Sequence, residues 1–153
     1  MTAAIAAPRQ TAAVAFDLEG GLIDVSTIHH LSNDASRFHS AMLGCPPNRD
    51  VVAAARRARE SGKTVLVMTG VDRRLEQLVS TWLGQHGMPA TLLLMRSRND
   101  FRPDAVVKRE RLRAACQQFD SLTVWSADPS VNRLSEREGI DVVPLRGYWG
   151  DLS

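Results

Sequence analysis

Five short aliphatic and β-branched runs recur along the chain, at residues 13–16, 64–68, 91–95, 122–125 and 141–144. None alternates with polar residues, which suits strands buried on both faces, as in a parallel sheet. Longer amphipathic stretches lie between them. Residues 50–60 bring Val51, Val52, Ala55 and Ala58 to one face and stop at Ser61-Gly62. Residues 72–85 carry Leu75, Leu78, Val79 and Leu83 at helical spacing. Pro103 opens a further helix to about residue 118, and Pro129 opens the last, which ends at Gly139. This order predicts a three-layer α/β/α Rossmann-like sandwich with a mostly parallel five-stranded sheet and right-handed crossovers. The stretch between the first two runs leaves room for only a minimal cap insert. Residues 13–153 are expected to form one domain, preceded by a frayed arm over residues 1–12.

Composition narrows the class without naming a chemistry. The 153 residues are 44% hydrophobic and 24% charged, which fits a globular chain and not a disordered one. No apolar run approaches the ~20 residues that span a bilayer, and the N-terminus lacks the basic start of a signal peptide. Cys45 and Cys116 match no metal spacing and read as reduced thiols, in keeping with a cytoplasmic location. Aromatics are 5%, so the core rests on Val, Leu, Ile and Ala; Trp82, Trp125 and Trp149 are read as packing residues. The net charge of +2 does not by itself argue for nucleic acid, so the placement of the basic residues matters more.

Ligands of such sheets bind beyond the carboxyl ends of the strands. Four runs end there in polar residues: Asp17, Thr69, Arg96 and, just past the fourth, Asp128. Polar strand-to-helix loops are common, but four convergent ends favour a site.

The first run with its loop, AVAFDLEGGLID over residues 13–24, resembles the opening motif of the haloacid dehalogenase-like phosphatases. The resemblance makes Asp17 the nucleophile and Glu19 the acid/base two residues later. It makes Thr69 of Val67-Met68-Thr69-Gly70 the hydroxyl that holds phosphoryl oxygens, and Lys108 the cation that neutralises nucleophile and phosphate. Leu94-Met95-Arg96, Asp100-Phe101-Arg102-Pro103-Asp104 and Val107-Lys108-Arg109-Glu110 resemble, without gaps, a stretch of the polynucleotide kinase-phosphatases. The likeness runs from about residue 13 to residue 145, and no Gly-rich Walker loop of a kinase half occurs. It implies Mg²⁺ held by Asp17, Glu19 and Asp128. It also implies a phosphorylated nucleic-acid end or nucleotide as ligand, a separate kinase or ligase as partner, and no membrane.

Arginine forks suit phosphate. Arg96 and Arg102 match the family pattern and Arg73 lies near the expected site end, so these three are the substrate-binding candidates; Arg74 and Arg98 fit a solvated rim equally well. His29, His30 and His39 fall in the insert, read as its polar surface, with the His29-His30 pair at the substrate mouth as the other reading.

The chain departs from the family pattern in three places. Glu19 replaces a second Asp, Gly21 replaces Thr, and Ser126-Ala127 stand where acids are usual, with Asp128 one position late. Asp128 suits two roles, a metal ligand or the cap of the helix opened by Pro129. Two function classes therefore stand: a phosphomonoesterase acting on 3′ ends, or a catalytically inactive domain that binds a phosphorylated ligand or a protein partner.

Overall fold

In the computed structural model, which describes residues 10–88 and 92–146, five strands form one sheet. They are β1 (Gln10–Asp17), β2 (Thr64–Asp72), β3 (Leu92–Arg96), β4 (Phe119–Ser126) and β5 (Asp141–Pro144). Their order is β3-β2-β1-β4-β5, and every pairing is parallel. The expected three-layer sandwich is what the chain adopts, and the sheet is wholly parallel.

Each strand follows from its two-faced apolar run. Val14 and Phe16 of β1, with Val65 and Val67 of β2, face α1 (Ala35–Met42), α2 (Arg49–Glu60) and α3 (Glu76–Gln85). The alternate residues Ala13, Ala15, Leu66 and Met68 face α4 (Asp104–Cys116) and α5 (Pro129–Arg137). Burying both faces is what removes polar alternation from the sequence. Trp125 of β4 stacks on Phe16, with ring centroids 5.4 Å apart, and Trp82 of α3 is buried. Trp149 lies outside the described residues.

Local signals end the helices where expected. After α2, Gly62 takes φ +90° and Lys63 N–H reaches back to Ala58 O at 3.0 Å, closing the last turn. Pro103 and Asp128 stand directly before α4 and α5. Two boundaries shift. β1 begins at Gln10, so residues 10–12 of the expected arm belong to a strand paired with β4, while residues 1–9 lie outside the described residues. A short 3₁₀ turn, Arg73–Leu75, precedes α3 where one continuous helix was expected.

The insert is small but ordered. A 3₁₀ turn, Ser26–Leu31, leads into α1, whose N-cap Asp34 accepts from Arg37 N–H at 3.1 Å. Phe38 and Met42 pin α1 to Leu22, Ile23 and Val25 in the first core cluster. His30 is exposed, and neither His29 nor His30 lines the site cavity.

Candidate active site

The carboxyl ends of β1, β2 and β4 meet where the connections turn from one side of β1 to the other, the usual crevice of such sheets. Asp17 ends β1 there and is wholly buried. Its Oδ1 accepts from Lys108 Nζ at 2.7 Å and its Oδ2 from the Ser126 hydroxyl at 2.8 Å. Lys108, also buried, projects from α4 and lies 2.9 Å from Glu19 Oε2. Two buried carboxylates thus share one buried ammonium.

Burial pushes the Asp17 carboxyl up to about 7; Lys108 opposes the rise and Glu19 adds to it. Burial alone would lower the Lys108 value, but the charges of Asp17, Glu19 and Asp104 outweigh it and hold the ammonium well above the usual lysine range. The surrounding carboxylates thus favour the charged form of Lys108 beside Asp17.

Glu19 is held on both oxygens. Thr69 donates its hydroxyl to Oε1, while Gly70 N–H donates to Oε2 at 2.9 Å, the oxygen that also meets Lys108. Thr69 is buried, accepts from Val71 N–H at 3.1 Å, and does not line the cavity. Its hydroxyl, expected to hold phosphoryl oxygens, ties β2 to Glu19 in the loop after β1 in this structure. Both oxygens of Glu19, like those of Asp17, thus accept from protein donors, and the residue borders the site cavity.

Arg96 also has an inward role. It ends β3, is 9% exposed, and donates to the carbonyls of Gly70 at 2.8 Å, Asp100 at 2.8 Å and Arg102 at 2.6 Å, as well as to the Asp104 carboxylate. It fastens the loop that leads to α4. Arg102 is half-exposed and bidentate to both Asp100 and Glu110. Arg73 pairs with Glu76 at 3.4 Å and borders a separate depression over α3 and β3, away from Asp17. Arg74, not Arg73, lines the groove beside the site.

Asp128 does cap α5, accepting from Ser130 N–H at 2.9 Å, and it lines the same cavity as Asp17. The cavity is about 240 Å³, bordered also by Glu19, His39, Asp104 and Lys108. It opens past Ser32, His39 and Asp104 into a larger groove of about 830 Å³ that carries Arg74, Phe101 and Arg102.

Two residues here were missed from sequence. Ser126, counted as a lost acid, is a direct partner of Asp17, and it holds the Asp128 N–H at 3.0 Å. The signal was present: it ends its strand as Asp17 does, and Phe16 pairs with Trp125 one residue earlier. His39 lies at the cavity wall, beside the anchoring Phe38.

Gly21 is explained by the backbone. A Cβ at this position would stand 2.1 Å from Asp17 O, because the loop doubles back to place Leu22 N–H 2.9 Å from that carbonyl. No side chain fits there, so the Thr of the family pattern is incompatible with this loop.

The family profile of the polynucleotide kinase PNKP phosphatase domain matches residues 11–127. Among solved structures, a chain in the Pnkp1/Rnl/Hen1 RNA repair complex is 19% identical with a TM-score of 0.77, over 96% of this chain and 47% of that one. A second structure of the Pnkp1/Rnl/Hen1 complex gives 22% identity and a TM-score of 0.75, over 90% and 47%. The chain therefore spans about half the length of these neighbours. A protein of unknown function from Bordetella pertussis Tohama I shares the fold at 12% identity and a TM-score of 0.50, over 90% of this chain and all of that one. No curated protein matches the sequence.

Proposed function

Because the chain belongs to the polynucleotide kinase PNKP phosphatase-domain family, of haloacid dehalogenase-like fold, we propose that it is a magnesium-dependent phosphomonoesterase acting on 3′-phosphorylated nucleic-acid ends or nucleotides. One observation carries the reading. Asp17 and Lys108 form a buried ion pair at the mouth of the central strand, with a cavity in front of them. An anionic nucleophile and a phosphate dianion repel each other; a fixed ammonium between them removes that barrier where the dielectric is low.

In this reading an Asp17 oxygen attacks phosphorus, the ester P–O bond breaks, and the leaving oxygen takes a proton. Water then cleaves the acyl phosphate, releasing phosphate and regenerating the carboxylate. Lys108 compensates charge throughout, and Ser126 orients the carboxylate from its Oδ2 side. Arg102 on the groove rim is proposed to exchange its carboxylate partners for strand phosphates, with Arg74 taking the place first given to Arg73.

The donor set suits magnesium. Asp17 and Asp128 offer hard carboxylate oxygens to one cavity, and the cap engages only Oδ1 of Asp128. Bound there, the ion would neutralise phosphoryl oxygens. Glu19, His39 and Asp104 also bring one ligating atom each within 4.8 Å of one another. That cluster suits a dication less, because Lys108 and Arg96 already compensate its carboxylates. Partners with kinase or ligase activity fit the reading, since the solved neighbours come from Pnkp1/Rnl/Hen1 complexes, one of them described as an RNA repair complex.

A second reading, an inactive domain that binds a phosphorylated ligand or a protein, draws on the protein donors that already hold both Glu19 oxygens. One assay separates the two: phosphate release from a 3′-phosphorylated oligonucleotide with Mg²⁺, native chain against Asp17→Asn. The phosphatase reading expects release that the variant abolishes. Equal traces would leave only the binding reading.

A further inference from the structure

Each Glu19 oxygen already accepts from a protein donor, and the proposed reaction needs a proton at the leaving oxygen. We propose that His39 supplies it. This rests on the phosphatase reading and assigns its missing acid to the insert helix.

The geometry comes from three elements. Phe38 and Met42 bury one side of α1 in the first core cluster, which fixes His39 over the cavity. The imidazole is 13% exposed, and its Nε2 lies 3.6 Å from Asp104 Oδ2. Asp104 is itself clamped by Arg96, so the carboxylate that positions the ring is rigid. A ligating atom of His39 also stands within 4.8 Å of a Glu19 oxygen, which puts the imidazole beside the Asp17–Lys108–Glu19 group and not at the outer rim. Nε2 is the ring nitrogen that faces Asp104, so the proton transfer falls to the other nitrogen, Nδ1.

His39 also borders both the small cavity and the larger groove. A phosphoryl group against Asp17 and a strand in the groove would put the bridging oxygen between them, beside the imidazole. In the first step Asp17 forms a bond to phosphorus, the P–O ester bond breaks, and the electron pair on the departing oxygen takes the proton from His39, giving an alcohol and a neutral imidazole. In the second step His39 takes a proton from the water that attacks the acyl phosphate. Phosphate leaves, and both side chains return to their starting state. The assignment follows the pattern in which a carboxylate orients an imidazole that moves the proton. Here the insert, not the opening loop, provides it.

The test compares leaving groups in the native chain, His39→Gln and Glu19→Gln. A 3′-phosphorylated oligonucleotide leaves as an alkoxide that needs a proton, whereas p-nitrophenyl phosphate leaves without one. His39→Gln should lower kcat/KM, which reports only the first step, by roughly 100-fold on the oligonucleotide and only a few-fold on the aryl ester. Glu19→Gln should lower both alike. The aryl-ester rate also reports that each variant is folded. Equal losses on the two substrates, or none, would overturn the role of His39 while leaving the phosphatase reading intact. A leaving-group-selective loss in Glu19→Gln would return the proton to Glu19. A folded native chain that released phosphate from neither substrate would remove the parent reading, and this one with it.

Discussion

Lys108 shows how much one side chain carries. It is the only cation within hydrogen-bond or ion-pair distance of Asp17 among the described residues, and both Asp17 and Glu19 depend on it. Removing one partner of a buried pair strands the other charge, at a cost of about 3–5 kcal/mol. Lys108→Met should therefore lower the unfolding free energy by that order in urea titration, and raise the Asp17 pKa further. The Asp17 value itself is open to direct measurement. Carboxyl ¹³C shifts in a chelator should show it titrating near pH 7 in place of the usual 3.8. Gly21 makes the opposite point about reading motifs one letter at a time. Gly21→Thr would restore the family letter but push a Cβ into the Asp17 carbonyl, so it should cost about 1–3 kcal/mol as overpacking does. Thermal melting would show the drop, and no gain in phosphate release should accompany it.

At the scale of elements, strands and capped helices were readable because their signals are local. β2 and β3 came from unbroken aliphatic runs, and α4 and α5 from a proline at each start. The insert was less legible: α1 is short, and its apolar residues, Phe38 and Met42, only make sense against Leu22 and Val25. The site followed the same division. Asp17 and Lys108 could be found from motif and spacing. The inward turns of Thr69 and Arg96 could not, because they depend on partners 50 and 26 residues away in the chain. Asp128 sits on the border, being a visible helix cap that also faces the cavity. Its two roles are separable. Asp128→Ser keeps a capping oxygen and should melt near the native temperature, whereas Asp128→Ala should lose about 1 kcal/mol. Both should weaken the magnesium dependence of phosphate release if the free carboxylate oxygen holds the ion.

The whole molecule gathers these residues from four strand ends and a helix, with β1 in the middle of the sheet. Its pH response should follow from the buried acid. A carboxyl whose folded value lies above its unfolded one adds stability that is full below the unfolded value and lost as pH rises through the folded one. For Asp17 that window runs from 3.8 to about 7. In a chelator, the melting temperature of the native chain should fall across it, while Asp17→Asn should show a flatter curve.

The distance along the chain between the reacting groups has a consequence for biosynthesis. Asp17 is separated from Lys108 by 91 residues and from Ser126 by 109. A ribosome therefore emits both acids of the opening loop long before the ammonium that lets them be buried. Until α4 emerges, closing β1 against its neighbours would trap bare negative charge. Closure around β1 with both acids paired therefore requires α4, which brings Lys108.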